Sequence, residues 1–297
     1  MKILMTGSSG LLGSALIPQL TQAGHSVTRL VRTKTSGDEA IWNPAQGVLD
    51  PGVFDGVDAV VNLAGENISA GRWTSSKKKR MYESRVQSTR LLAETVAGLA
   101  RPPQAILSAS AVGYYGDRGE ARLTERSAPG EGYLAELCKD WEQALRPAAA
   151  KGVRVVTMRF GLILTPAGGA LAKLLTPFTL GVGGRVGSGR QYWSWIALDD
   201  VAGAVAFLLK DPRVAGPVNF TAPNPLTNAE FTRVLGKVLS RPAVFPIPGF
   251  ILRLALGEMT DPLLLASANV IPDALLSAGY RFRFDDLSVA LKHLLRP

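Results

Sequence analysis

The chain has 297 residues, 46% of them hydrophobic and 19% charged, with a formal net charge of +9. That length suits a large domain carrying a smaller one, and the apolar share supports a substantial core, which excludes a disordered chain. A single cysteine, Cys138, precludes an internal disulfide, and two histidines with one cysteine do not make a structural zinc site. No run of ~18 apolar residues offers a membrane span. No signal peptide precedes the first strand, so the expected location is a reducing cytoplasm. The basic residues are scattered except for Lys77-Lys78-Lys79-Arg80. That run reads as the solvated start of a helix rather than a nucleic-acid patch. The positive excess also suits an anionic cofactor or an anionic small-molecule substrate.

Ile3-Leu4-Met5-Thr6 reads as a short apolar strand, beginning at residue 2 or 3. It runs into Gly7-Ser8-Ser9-Gly10-Leu11-Leu12-Gly13 and then a helix over about 10–23 with apolar Leu12, Leu16 and Leu20. The three glycines have distinct tasks in a dinucleotide site. Gly7 permits the tight turn, Gly10 lets the backbone approach a pyrophosphate, and Gly13 lets the helix pack close to the strand. The helix N-terminus, with its unpaired N–H groups, then faces the phosphates. Ser9, Leu11 and Leu12, in the same turn and helix start, are counted with the glycines as cofactor-binding.

Val27–Val31 reads as a second strand, and Arg32, Thr33 and Lys34 follow it with no acid before Asp38. A carboxylate at that place would hold the ribose 2′-OH of NAD, whereas a guanidinium suits a 2′-phosphate. NADP is therefore the expected cofactor, with Arg32 as its 2′-phosphate ligand. Further strands are predicted at Ala59–Leu63, Ala105–Ser108 and Val153–Met158, with helices at 76–99 and 133–150. The alternation implies an α/β, Rossmann-type doubly wound parallel sheet. Beyond residue 165 it weakens. Gly181–Gly189 is a glycine-rich loop, and 198–209 is a helix opened by Asp199 and Asp200. From Pro223 onward, frequent prolines separate short helical pieces, and Thr227 with Glu230 forms a capping-box signature. The expected organisation is a dinucleotide-binding unit of 1–165 plus about 190–222. A smaller, mostly helical substrate-side unit covers about 166–189 and 223–297.

These residues resemble the extended branch of the short-chain dehydrogenase/reductase superfamily. Asn62-Leu63-Ala64-Gly65 is similar to that family's cofactor-lining turn after the fourth strand. Ser108-Ala109-Ser110-Ala111-Val112-Gly113-Tyr114-Tyr115-Gly116 resembles the loop carrying the active-site serine. Arg159-Phe160-Gly161 resembles the segment passing the nicotinamide, and Trp195–Ala202 the later Asp-Val-Ala motif of nucleotide-sugar epimerases. Arg72-Trp73-Thr74, Cys138-Lys139-Asp140-Trp141-Glu142 and Pro223–Arg283 are similar to the atypical "epimerase family" group, family 39U. The resemblance covers nearly the whole chain. It adds Leu63, Ala64, Gly65, Phe160 and Gly161 to the cofactor-binding set. It also implies an oxidoreductase or epimerase whose substrate is not set, and a homodimer formed through the segments 76–99 and 133–150.

The chain departs from that superfamily at its catalytic pair, Tyr-x-x-x-Lys, in which the lysine lowers the tyrosine's pKa and the tyrosine transfers a proton. Alignment on Trp141-Glu142 puts Leu134 at the tyrosine position and Cys138 at the lysine position. Shifted frames offer Lys139 with Ala135, or Tyr133 with Leu137, so no frame restores the pair. Arg85, in Arg85-Val86-Gln87-Ser88-Thr89, replaces the asparagine that usually begins the Asn-Val-x-x-Thr segment. An arginine there suits a phosphate or carboxylate, or a structural ion pair, and it is grouped with the cofactor-binding residues. The remaining candidates for chemistry are the Ser110 hydroxyl, a loop tyrosine (Tyr115 or its neighbour Tyr114), and Cys138, which needs a lowered pKa to act as nucleophile or redox-sensitive thiol. Arg190, in the Gly187–Gln191 loop, is a candidate partner for an anionic substrate group. Trp73, Trp193 and Trp195 read as core or pocket walls. A protein that keeps the cofactor site and has lost the chemistry, a redox sensor or binding module, is the alternative.

Overall fold

The computed structural model describes residues 1–34 and 37–295, so the last two residues of the expected C-terminal unit lie outside it. The first half contains β1 (Lys2–Thr6), α1 (Leu11–Gln22), β2 (Ser26–Val31), β3 (Glu39–Asn43), β4 (Val48–Leu49), β5 (Ala59–Asn62), α2 (Ser75–Tyr82) and α3 (Ser88–Gly98). It continues with β6 (Ala105–Ala111), β7 (Arg122–Leu123), α4 (Tyr133–Gln143), α5 (Arg146–Ala150) and β8 (Arg154–Phe160). The second half adds β9 (Leu162–Leu164), α6 (Gly169–Thr179), β10 (Tyr192–Trp193), β11 (Trp195–Ala197), α7 (Leu198–Lys210), β12 (Gly216–Phe220) and β13 (Leu226–Thr227). Helices then dominate, with α8 (Asn228–Val238), α9 (Gly249–Leu256), β14 (Asn269–Val270), α10 (Asp273–Ser277) and α11 (Leu287–Leu294).

The central sheet has eight strands in the order β12-β8-β6-β5-β1-β2-β3-β4. Its neighbours pair in parallel except β4, which runs antiparallel to β3 at the edge. Side chains of successive strand residues enter opposite layers. Ile3, Met5, Ala59, Val61, Ala105 and Leu107 join one core with Leu16 and Leu20 of α1 and Val201, Val205 and Leu208 of α7. Leu4, Val60 and Ile106 enter the other, with Leu92, Ala93 and Val96 of α3 and Leu145 and Ala148 at α5. Burial on both faces explains why these strands read as unbroken apolar runs. A third core gathers Leu164, Leu171, Trp195, Phe231, Leu235, Phe284, Leu287 and Leu291 around the C-terminal helices.

The predicted helix 76–99 is α2, a π-turn at Glu83–Gln87, and α3. The predicted helix 133–150 is broken into α4 and α5, where Pro147 stands at the start of α5 and cannot continue a helix from α4. Thr227 and Glu230 form the expected capping box of α8. The chain leaves β1 toward β2 and β3, then returns to β5 on the other side of β1. The crevice at the C-terminal ends of β1 and β5 is thus the topological switch point, where doubly wound sheets receive their ligands.

Candidate functional site

Two turns flank that crevice, and they interlock. A Cβ added at Gly7 (φ +66°) would lie 2.5 Å from the Leu63 carbonyl oxygen. At Gly13 it would lie 2.4 Å from the Gly7 oxygen and 2.6 Å from Ser8 Cα. Both contacts are with backbone, so only glycine lets α1 meet β1, and β1 meet the turn after β5, at this distance. Thr6 fastens the two turns: its hydroxyl donates to Asn62 Oδ1 (2.6 Å) and accepts from the Leu63 and Ala64 N–H groups (both 3.1 Å). Gly10 is exposed and in extended conformation at the N-cap of α1, with no acidic side chain in the first turn. Ser9 is exposed beside it, and Leu11 and Leu12 are half-buried at the helix start. The first N–H groups of α1 therefore face the crevice without intrahelical partners. A pyrophosphate fits this cradle. Leu63, Ala64 and the exposed Gly65 form its opposite wall, Phe160 ends β8, and Gly161 follows it. Phe160 is buried against Phe220, with ring centroids 5.0 Å apart, and the Gly161 N–H donates to the Phe220 carbonyl, so this segment is fixed from the C-terminal side.

Arg32 is exposed just beyond β2. The nearest carboxylate on the neighbouring strand, Glu39, is buried and bound by Arg29 at 2.7 Å. The rim after β2 thus presents a guanidinium and no free acid of β3.

The candidate catalytic groups come together, but into a closed network. Ser110 is buried and donates to Glu142 Oε1 (2.7 Å). Arg159 grips the same carboxylate with Nε at 2.7 Å and Nη2 at 2.8 Å, and donates from Nη1 to the Tyr115 hydroxyl (2.9 Å). Tyr115 donates in turn to Asn219 Oδ1 (2.7 Å). The Arg159 guanidinium also stacks 3.5 Å from the centre of the Tyr114 ring. Strand pairing puts Ser110 beside Arg159, and Arg159 beside Asn219, on β6, β8 and β12. Two sequence-based expectations are corrected here. Tyr115 is fully buried rather than facing the crevice, and burial pushes its hydroxyl up to about 12. Cys138 is buried, and burial with the nearby Glu142 charge pushes its thiol up to about 12, the opposite of what a nucleophile needs. Leu134 and Cys138 both face the loop, 3.3 and 3.9 Å from a Cβ placed on Gly113. Tyr133 points away and donates to the Lys78 carbonyl (2.9 Å).

Sequence reasoning missed Glu142, Asn219 and Thr6 as site residues, and it quoted Arg159 only within a motif. The available signal was a polar residue inside an apolar strand, as in Val-Thr-Met-Arg-Phe and Val-Asn-Phe, since a buried polar group must be satisfied. Arg85 makes no ion pair among the described residues, which removes the structural ion-pair reading. Arg190 is exposed, on a loop fixed by Gln191 through bonds to the Val186 and Leu264 carbonyls. Trp73, Trp193 and Trp195 each donate their indole N–H to a backbone carbonyl, as wall and core residues do. The basic run is less solvated than expected: Lys77 is buried, and Lys77, Lys78, Lys79 and Arg80 each face a carboxylate. No helix among the described residues is long and apolar enough to cross a membrane.

Comparison with known proteins agrees with this architecture. Residues 3–220 match the NAD dependent epimerase/dehydratase family, and residues 247–294 match a domain of unknown function, DUF1731. The chain is 44% identical to epimerase family protein Mb2239 of Mycobacterium bovis over 97% of its own length and 96% of the relative's. The crystal structure of human epimerase family protein SDR39U1 (isoform 2) with NADPH superposes with a TM-score of 0.90 at 35% identity, covering 99% of both chains. A nucleoside-diphosphate sugar epimerase from Corynebacterium glutamicum gives a TM-score of 0.83 at 38% identity, over 99% of this chain and 58% of that one. The glycine cradle, the eight-stranded sheet and the C-terminal helical part therefore belong together, and the chain is a member of the NAD dependent epimerase/dehydratase family, in the epimerase-family group that includes SDR39U1.

Proposed function

We propose that this chain is an NADP(H)-dependent oxidoreductase or epimerase acting on a small, anionic carbonyl- or hydroxyl-bearing molecule. The observation that carries this reading is the interlocked cradle of Gly7, Gly10 and Gly13 against Leu63, with Arg32 at the rim where a 2′-phosphate arrives. A guanidinium gives that phosphate bidentate, charge-assisted hydrogen bonds, and an acid at the same rim would repel it. The NADPH named with the human relative's structure supports the same choice. The cofactor, when bound, supplies the hydride chemistry.

The protein's own part follows from the site. The α1 N-terminus holds the pyrophosphate, Leu63–Gly65 line the opposite wall, and the Phe160–Gly161 backbone borders the nicotinamide end. Ser110 is tied to Glu142 as a donor, so it serves a substrate oxygen only by giving up that bond. With Leu134 and Cys138 on the loop-facing side of α4, proton transfer falls to water or to Ser110 released from Glu142.

A second reading, a non-catalytic NADP(H)-binding sensor or module, is favoured by one specific observation. Ser110 and Tyr115 have their protons committed inside the protein, and Cys138 is held as a thiol. Loss of NADPH absorbance with a broad panel of aldehydes, ketones and keto acids separates the two. Turnover of any panel member, abolished by Ser110→Ala, supports the enzyme. Tight NADPH binding with no turnover across the panel supports the module.

A further inference from the structure

Arg85 stands at the centre of the π-turn Glu83–Gln87, between α2 and α3. π-turns shift the helical register and often occur at functional positions. Here the turn delivers a guanidinium against the cofactor-lining turn: a Cβ at Gly65 would lie 3.2 Å from Arg85 Cζ and 3.3 Å from Nη2. The far side of the guanidinium is 5.2 Å from the Trp141 ring. Its protein acceptors are neutral: Nη2 donates to the Glu66 carbonyl (2.9 Å) and Nη1 makes a long bond to the Met81 carbonyl (3.4 Å). The nearest carboxylate, Glu66, is already held by Lys77 (2.8 Å) and Arg80 (3.4 Å).

The other arginine of the site shows the contrast. Arg159 is buried with a bidentate carboxylate partner. Arg85 is half-buried with none among the described residues, and a desolvated cation without a counter-ion is costly unless something supplies one. A guanidinium has five N–H donors, and two are used here. The charge reaches α4, where it acts on Cys138 of the loop-facing side and on Tyr133. The loop-facing side carries Cys138 and Leu134 and no cation of its own. Arg85 therefore brings a positive charge, from a different element, to the helix face that lacks a lysine.

We infer that Arg85 is the substrate-recognition residue of this site and that it takes a carboxylate, so that the substrate is a hydroxy or keto acid; this rests on the NADP(H)-dependent reading above. A guanidinium whose hydrogen-bond acceptors are both neutral carbonyls matches one negative charge on a planar group with fork geometry. In the reading proposed above, the cofactor's pyrophosphate would sit at the α1 N-terminus instead. Arg85 thereby leaves the cofactor-binding set in which the sequence put it.

The test titrates the NADPH-saturated full chain with pyruvate and phenylpyruvate and with their methyl esters, read by NADPH fluorescence. Wild type is expected to bind at least one acid about tenfold or more tightly than its ester, the scale of a charge-assisted bond. Arg85→Gln is expected to abolish that preference while its NADPH affinity stays within about twofold, and Arg85→Lys to restore part of it. Equal binding of acids and esters by wild type, or no binding of either, overturns the inference. So does an Arg85→Gln protein, folded by its thermal melt, that loses NADPH affinity itself, because Arg85 then serves the cofactor. Failure of wild type to bind NADPH at all overturns the cofactor reading, and is seen before any acid is added.

Discussion

The crevice between β1 and β5 and the polar network between β6, β8 and α4 lie on the same sheet, yet they are finished differently. At the crevice, the first N–H groups of α1 are left unpaired by the helix, and Gly10 and Ser9 are exposed. In the network nearly every donor is spent: Ser110 on Glu142, Arg159 on Glu142 and Tyr115, Tyr115 on Asn219, and Asn219 Nδ2 on the Ile271 carbonyl (2.9 Å). Unpaired donors at a surface are a binding site, whereas a satisfied buried network is a structural element that also fixes β12 and the C-terminal part to the sheet. The same sheet thus presents open backbone donors at one place and a closed side-chain network at the other.

Substitutions should separate the two regions. The largest effect on cofactor binding is expected at Gly13. A valine there drives its Cβ into the Gly7 and Ser8 backbone, and NADPH affinity should fall by about a hundredfold or more, because this glycine sets the helix–strand approach. Fluorescence titration, with a thermal melt as control, measures it. Next, Glu142→Ala strands the buried Arg159 cation, and breaking such a pair costs about 3–5 kcal/mol. Urea unfolding should register that loss, while the folded fraction still binds NADPH. If Glu142→Ala instead spares stability and removes NADPH binding, the division drawn here is wrong. Arg32→Glu should leave stability alone and weaken NADPH about 10- to 100-fold, since charge-assisted bonds are worth about 1.5–3 kcal/mol. NADH should be little changed, and an equal loss of both cofactors would remove Arg32 from the 2′-phosphate site.

Two smaller effects probe the network's edge. Glu125 accepts from the Asn219 and Ala274 N–H groups on one oxygen, and its other oxygen is buried with no hydrogen-bond partner among the described residues. Burial holds its pKa above the ordinary carboxyl value. A raised folded-state pKa favours folding while the group is protonated, and that advantage disappears as pH rises through the folded-state value. Glu125→Gln should therefore raise stability at mildly alkaline pH relative to wild type, with the difference shrinking toward about pH 4, the unfolded carboxyl value. Melting curves across pH test this, and a difference that grows toward acid contradicts it. The smallest change is expected for Cys138→Ser, which should leave NADPH affinity as it is. The native thiol should resist iodoacetamide near neutral pH, because burial keeps it protonated.

Much of the first region was legible in the sequence because its determinants are local. A strand, three glycines and a helix start occupy consecutive residues, and backbone sterics fix what each glycine does. The capping box at Thr227 was legible for the same reason. The second region was not, because its partners are far apart: Tyr115 and Asn219 are separated by 104 residues and meet only through the parallel register of β6, β8 and β12. β12 itself, Gly-Pro-Val-Asn-Phe, opens with two strand-poor residues and gave no strand signal. Lys77 was read by its neighbours as solvated, although its tip is drawn inward to Glu66 and the Asn67 carbonyl. Charge runs report composition, and the pairing of each member depends on the tertiary fold.

The most direct test of the central claim is a parallel titration of the purified chain with NADPH and NADH, followed by protein and cofactor fluorescence. Saturable binding of both cofactors at one site is expected, with NADPH tighter by about tenfold or more through the added charge-assisted bonds at Arg32. Preference for NADH, or no binding of either cofactor, would contradict it.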